Sequence, residues 1–579
     1  MVETLPSADQ DTIDHWDQVL RSAATPRRRA RALVGTALSR YWAVQEGLVD
    51  TPLSVSDADR RARTEEAMSI ARSLDDDELT VETMLGRLYS CWGPANLHER
   101  DDLIDELVEL LPIVRAEELR LRIHEWLVVR HFDRGDLEAA RRAVDQFRLA
   151  ARDTELVLFR RREELWRGNI AMLEGRLDLA VRINEDAISS TSGMAGTPFS
   201  FQNVAITLAI ERYLRRGLAD LIEAVRSIRA SSPRVASNWD TGLALCLSET
   251  GRLDEARVLF DSIAEDDFSS VHRDLNWLVT VQLLGLVALR LDHDHGIARI
   301  FDLLEPFAEL DGTHGTGYAS YGPVGRVVGA LAQRLEPTRG GRRWFDRVLE
   351  TREPGPWTSL TRLDSAVGRR SEDPRRAYHE ARLAESELRS FDMAAWADEA
   401  RALAVYLARQ GFGPPIAVRS GSRWQLRHPS GSAELDHRVG VGHLIRLLAS
   451  PGQSIPSVDL DGSEIPVDDA GSASTPLLDN VAARAYRDRL DELDLDGGSP
   501  EEASMLRRHL AANRYVPSGS AEVERARVRV TKALGRAIDD IATADPRLGA
   551  HLRSSVETGR RCIYSPSDGI GWWIVDSGS

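Results

Sequence analysis

The sequence predicts a mainly α protein: an α-solenoid of helical hairpins over roughly the first 410 residues, then a small α+β domain. Three observations predict it. The residue supply favours helix, because Ala, Leu, Arg and Glu dominate and aromatics are only 6%; such side chains lose little rotamer freedom in a helix. A phrase recurs: Gly135-Asp136-Leu137-Glu138-Ala139-Ala140 returns as Gly175-Arg176-Leu177-Asp178-Leu179-Ala180 and as Gly251-Arg252-Leu253-Asp254-Glu255-Ala256. With a weaker copy at Gly217-Leu218-Ala219-Asp220, the glycines stand 40, 42 and 34 residues apart, a period that suits two antiparallel helices and their turns. Beyond Gly411-Phe412-Gly413-Pro414-Pro415 the pattern changes to two-residue alternation.

Each position of the phrase has a physical task. Glycine tolerates the left-handed backbone that ends a helix. The leucine re-enters the core, the acid sits in the first turn of the next helix, and the alanine lets helices approach closely. Apolar residues recurring at three- and four-residue steps mark further helices at 101–114, 117–132, 160–174 and 275–291, and the array closes with 393–410.

The C-terminal region, 416–579, opens with strands at 424–428 and 433–437 around Pro429-Ser430-Gly431, the pattern of a β-hairpin. Helices follow at 441–449, 478–495, 501–513, 521–542 and 547–556. The Gly/Ser/Asp-rich stretch 461–475 is a loop, and 478–495 with 501–513 reads as an αα-hairpin, so about 463–520 is a helical insertion. Two strands, 561–564 and 572–575, are joined by a turn at the end.

Composition excludes several classes. The net charge of -17 repels nucleic acid and anionic membrane as a whole, so DNA contact requires a local basic patch. Cys91, Cys246 and Cys562 stand far apart, with neither metal-ligand nor disulfide-framework spacing. No apolar run reaches the ~18 residues of a membrane span, and the N-terminus has no signal core. A soluble, cytoplasmic protein is expected.

Asp274 to Leu278, Leu303 to Phe307, Tyr321 to Val324 and Phe391 to Arg401 resemble the tetratricopeptide-like sensor arm of large LuxR-type, ATPase-associated transcription regulators. The resemblance spans roughly 60–410. Further on, the hairpin, then Val441 to Leu460, the helix from Ala521 and Thr558 to Tyr564 resemble in order an OmpR-like winged helix, with the 521–542 helix in the recognition place. About 60 residues intervene before that helix where such domains have a short loop, and the helix 547–556 is additional. The ATPase of those regulators is absent: no GxxxxGK[ST] occurs, and the sole lysine is Lys532. The resemblance implies a protein, peptide or small ligand on the concave face of the arm and duplex DNA on the C-terminal domain.

The strongest constellation is Arg525, Arg529, Lys532 and Arg536, which fall within a stripe about 60° wide on one helix. Val523, Ala526, Val530, Ala533, Leu534, Ala537, Ile538 and Ile541 take the core side. Such a stripe lies along phosphates or enters a groove, and Arg560 and Arg561 extend it from the wing. Against it stand Asp539 and Asp540 at the helix end, and an ordinary solvated face has the same pattern. Asp292-His293-Asp294-His295 reads as a loop between helices rather than a metal site. Gly312 to Gly317, with no strand before it, reads as a flexible loop near the concave surface rather than a nucleotide cradle. Asp75 to Asp77 and Asp101-Asp102 read as helix caps and dipole partners. Trp277, Trp344, Trp357 and Trp396 read as repeat core. No catalytic constellation is visible, so neither enzyme nor cofactor is expected. The leading reading is a transcription regulator without its own ATPase. The rival is a protein-interaction scaffold whose winged helix binds no DNA, with 478–513 as its docking hairpin.

Overall fold

The computed structural model describes residues 10–45, 53–189, 198–231, 236–271, 273–337, 340–462, 521–566 and 571–576. The helical pair expected at 478–495 and 501–513 lies outside the described residues. The chain divides into two compact units, Met1–Leu403 and Ala404–Ser579. No described helix is long and apolar enough to cross a membrane.

The first unit is mainly α. Its elements run α1 (Gln10–Arg21), α2 (Pro26–Gln45), α3 (Leu53–Ser73), α4 (Asp77–Ser90), α5 (Leu97–Leu110), α6 (Glu117–Asp133), α7 (Leu137–Ala150), α8 (Val157–Leu173), α9 (Leu177–Ser189) and α10 (Pro198–Leu214). Then come α11 (Ile222–Ser231), α12 (Ala236–Glu249), α13 (Leu253–Ala264), α14 (Trp277–Leu291), α15 (Asp294–Leu304), β1 (Asp311–His314) and β2 (Ala319–Pro323). The last are α16 (Val324–Leu335), α17 (Arg342–Thr351), α18 (Pro356–Arg369), α19 (Pro374–Ser390) and α20 (Ala394–Arg409), which runs across the division between the units. Sequential neighbours pack as hairpins, as in α6 on α7, α8 on α9 and α18 on α19. Helices two apart also touch, as in α2 on α4, α12 on α14 and α14 on α16, so the hairpins stack in a helical-repeat-like architecture.

The recurrent glycine is the joint of these hairpins. Gly135, Gly175 and Gly251 have φ of 64°, 79° and 80°. The residue after each donates to the carbonyl five positions back: Asp136 to His131 at 3.0 Å, Arg176 to Ala171 at 2.8 Å and Arg252 to Leu247 at 2.9 Å. This closes the orphan carbonyls of the preceding helix. The same bond recurs where no glycine stands, after left-handed Arg216, Asp292 and Asp392. In the weak copy the left-handed residue is therefore Arg216, not Gly217, whose φ is -103°. Asp136 caps α7 by accepting from Ala139 N at 2.9 Å. Ala140, Ala180 and Ala256 are wholly buried, as are Leu137 and Leu177 nearly so. Leu253 departs from the pattern at 41% exposure. Ala180→Leu is expected to cost about 1–3 kcal/mol by overpacking, read as a lower thermal midpoint; an unchanged midpoint would show that α8 and α9 are not closely seated there.

Residues 312–317 are not a flexible loop. They belong to a buried antiparallel hairpin, β1 and β2, that touches α6, α8, α10, α14 and α16. Side chains from distant helices satisfy its backbone. Trp166 Nε1 donates to Thr316 O at 2.7 Å, Asn169 Nδ2 to Gly317 O at 2.9 Å, and Gln282 Nε2 to Tyr321 O at 3.1 Å. That accounting allows extended chain inside a helical unit. A Cβ at 312 would stand 1.7 Å from Gln282 Oε1, so a larger residue there would displace the Gln282 amide.

The second unit is α+β. β3 (Ile416–Ser420), β4 (Arg423–His428) and β5 (Gly431–Asp436) form an antiparallel meander, and β9 (Trp573–Asp576) joins β3 in parallel. α21 (Val439–Leu448), β6 (Ile455–Pro456), α22 (Ser457–Asp461), α23 (Ala521–Ala544), α24 (Pro546–Ser555), β7 (Val556–Glu557) and β8 (Arg561–Tyr564) lie between. Both C-terminal strands expected from the sequence exist, but not as one hairpin. β8 pairs with β6 and β7, whereas β9 pairs with β3. Alternation buries Trp424, Leu426, Ala433 and Leu435 against Leu444, Leu448, Val530, Leu534 and Ile541.

Candidate functional site

The α23 helix divides cleanly. Ala526, Val530, Leu534, Ala537, Ile538 and Ile541 are buried, with Val523 and Ala533 half-buried. Arg525, Arg529, Lys532 and Arg536 are exposed, and so are Arg560 and Arg561. The short helix α22 links the two groups. Its Asp461 takes Arg529 Nε at 3.1 Å, which holds the Asp461 carboxyl below the usual range. Its Ser457 N donates to Arg560 O at 2.9 Å. Arg561 Nε donates to Ser454 Oγ at 2.7 Å, just ahead of β6. Arg527 holds the Glu524 carboxyl down, and Arg560 adds to the effect, so the β7–β8 turn lies near the start of α23.

The acids that weigh against phosphate binding have partners. Asp539 pairs with Arg553 at 2.8 Å and Asp540 with Arg438 at 3.5 Å. Among the described residues, Lys532 and Arg536 make no ion pair. Sequence reasoning missed α24 as part of this surface. Asp545 caps it, accepting from Arg547 N at 3.0 Å and Leu548 N at 3.1 Å. Leu548 and Leu552 are buried while Arg547, Ala550, Arg553 and Ser554 are exposed. Asp545 followed by Pro546 was the available signal, since a capping acid before proline starts a helix.

The other motifs resolve into structural parts. His293 Nδ1 accepts from Gly296 N at 2.9 Å, and the two imidazoles reach different acids, Asp261 and Asp267. Asp292 and Asp294 both pair with Arg334. No group of three metal-ligating side chains exists among the described residues. Asp76 caps α4, accepting from Leu79 N at 3.1 Å. Trp277, Trp357 and Trp396 are buried, and Trp344 packs against the same core. All three cysteines are buried thiols.

The interior of the first unit holds a charged centre that periodicity did not reveal. Glu125 of α6 is wholly buried, Arg162 of α8 nearly so, and they form an ion pair. Tyr89 Oη donates to Glu125 Oε2 at 2.7 Å. Burial alone would lower the Arg162 pKa, and the nearby carboxylate more than offsets it. A second pair joins Asp311 of β1 to Arg352 at 3.0 Å. Next to it lies a pocket of about 40 Å³ lined by Phe132, Leu173, Pro323 and Trp357. No protein-family model matches this chain, and no curated protein is detectably similar to it.

Proposed function

We propose that this chain is a transcription regulator without an ATPase of its own, in which a solenoid arm takes a protein or peptide and the C-terminal domain contacts duplex DNA. The observation that carries this reading is the set of exposed cations on α23 and around the β7–β8 turn, rooted in a packed core and linked through α22. The element order α21, β6, α22, α23, α24, β7 and β8 supports a winged-helix reading. It also moves the recognition place. The helix directly before the β7–β8 turn is α24, so Arg547, Ala550 and Ser554 face the bases, while Arg525, Arg529, Lys532 and Arg536 hold phosphates. The pocket beside Asp311 and Arg352, at about 40 Å³, holds one or two waters rather than a ligand needing about 300 Å³ or more.

The scaffold reading is favoured by one fact: Arg529 and Arg561 are already engaged, by Asp461 and Ser454. One experiment separates the two. Binding of a labelled duplex is measured at low salt. For the regulator, Arg529→Glu with Arg536→Glu weakens binding at least about tenfold, and Asp461→Asn strengthens it about two- to threefold by removing a carboxylate from the cationic face. No binding by the parent, or equal binding by the double variant, leaves the scaffold.

A further inference from the structure

Two close contacts, besides its own buried leucines, set where α24 lies. Gly549 rests on the backbone of α23: a Cβ there would stand 2.3 Å from Ala542 Cβ and 2.5 Å from Ala542 Cα. This fixes where the two helices cross. Asp545 fixes the N-terminal end of α24 against the four-stranded sheet, and its two carboxylate oxygens have different tasks. Oδ1 accepts from Arg547 N at 3.0 Å and Leu548 N at 3.1 Å, the first donors of α24. Oδ2 accepts from Ser432 N of β5 at 3.0 Å. The carboxylate sits directly on the β4–β5 turn, because a Cβ on Gly431 would stand 2.2 Å from Oδ2 and 2.5 Å from Oδ1. Accepting from Leu548 N and Ser432 N holds this carboxyl below the usual range. A helix cap needs one oxygen. The second oxygen, reaching a separate element, is not explained by capping.

We propose that Asp545 is a positioning residue for duplex recognition: one oxygen starts α24, and the other tethers it to the β4–β5 turn, so that Arg547, Ala550 and Ser554 keep one orientation. The role rests on the regulator reading given above, in which α24 faces the bases. Base edges are read by hydrogen bonds of strict geometry, so a small rotation of α24 forfeits them. Phosphate contacts along α23 carry no sequence information and depend on charge more than on angle. Losing the tether therefore lowers the preference for one sequence over another and leaves general affinity for duplex nearly intact. Pro546, at the first helical position, keeps the start of α24 rigid, so the direction of the Asp545 side chain passes into the helix.

The full parent chain is first used to enrich a duplex from a random-sequence pool. Binding of that duplex is then compared with binding of a scrambled duplex of the same length and composition. Asp545→Ser keeps one capping oxygen and loses the other. Its preference for the enriched duplex falls about tenfold or more, while its binding of the scrambled duplex stays within about threefold of the parent. Hydrogen exchange over 546–555 stays within about threefold of the parent, because the cap remains. Gly431→Ala drives the carboxylate off the turn from the β5 side, and it gives the same loss of preference if Asp545→Ser fails to fold. A parent that enriches no sequence overturns base reading by α24, and the regulator reading with it. A parent that enriches one, with a folded variant that keeps the preference, overturns the tether alone. Equal loss on both duplexes also overturns the tether, since it reports lost structure rather than lost orientation.

Discussion

Glu125→Gln should lower the stability of the helical unit by about 3–5 kcal/mol, the cost of leaving a buried charge without its partner. Arg162 is 2% exposed and forms an ion pair with Glu125, while its guanidinium also lies 5.5 Å from the Phe159 ring centre. Removing the carboxylate charge strands a guanidinium that water cannot reach. Tyr89 also loses its charged acceptor. Against a total stability of about 5–15 kcal/mol, this is a large fraction. Pairing Glu125→Gln with Arg162→Met removes both charges and should recover most of the loss, because two well-packed neutral groups replace a buried ion pair at little net cost. Urea unfolding of the single and double variants measures this. A single-variant cost below about 1 kcal/mol would mean that water reaches the pair.

The second large effect is acid destabilisation through His314 on β1. Its Nδ1 is buried without a hydrogen-bond partner, and burial pushes the imidazole down to about 4. The folded state therefore prefers the neutral ring, against about 6.5 for an unfolded chain. Its stabilising effect is complete above about pH 6.5 and is lost as pH falls from there towards 4. Because His314 as a whole is half-buried, the loss is about 2–3 kcal/mol. Asp133 and Asp311 work in the opposite sense. Burial raises their carboxyls despite the arginines beside them, so their contribution is lost as pH rises through the folded value. The difference between the parent and His314→Gln isolates the imidazole. That difference should shrink steadily between about pH 6.5 and 4. A flat difference would place His314 in solvent.

Much of this architecture is legible in the sequence because a few positions carry sharp physical demands. Glycines at 135, 175 and 251 mark left-handed helix ends, and the alanine five places on marks each close helix contact. The joints at Asp292 and Asp392 escape a glycine search because aspartate also tolerates that conformation, and the joint at Arg216 because a bulkier residue adopts it at a cost. The two faces of α23 and the β4–β5 hairpin follow from helical and two-residue periods. The β1–β2 hairpin does not, because Asp311 to Pro323 is buried at every position but His314 and shows no alternation. Its backbone partners, Trp166, Asn169 and Gln282, lie far away in sequence. Glu125 and Arg162 were invisible for a related reason: on their own helices each reads as a solvated residue. The cationic surface was legible on α23 but not on α24, whose short amphipathic face spans only Pro546–Ser555.

The salt dependence of duplex binding by the full chain tests the central reading most directly. Counterion release gives a slope of log K against log salt of about -0.9 per phosphate neutralised, so six engaged cations predict about -5. Reversing Arg529 and Arg536 should flatten the slope by about 2. Binding that ignores salt, or a slope the double variant leaves unchanged, would contradict a phosphate-holding role for this face.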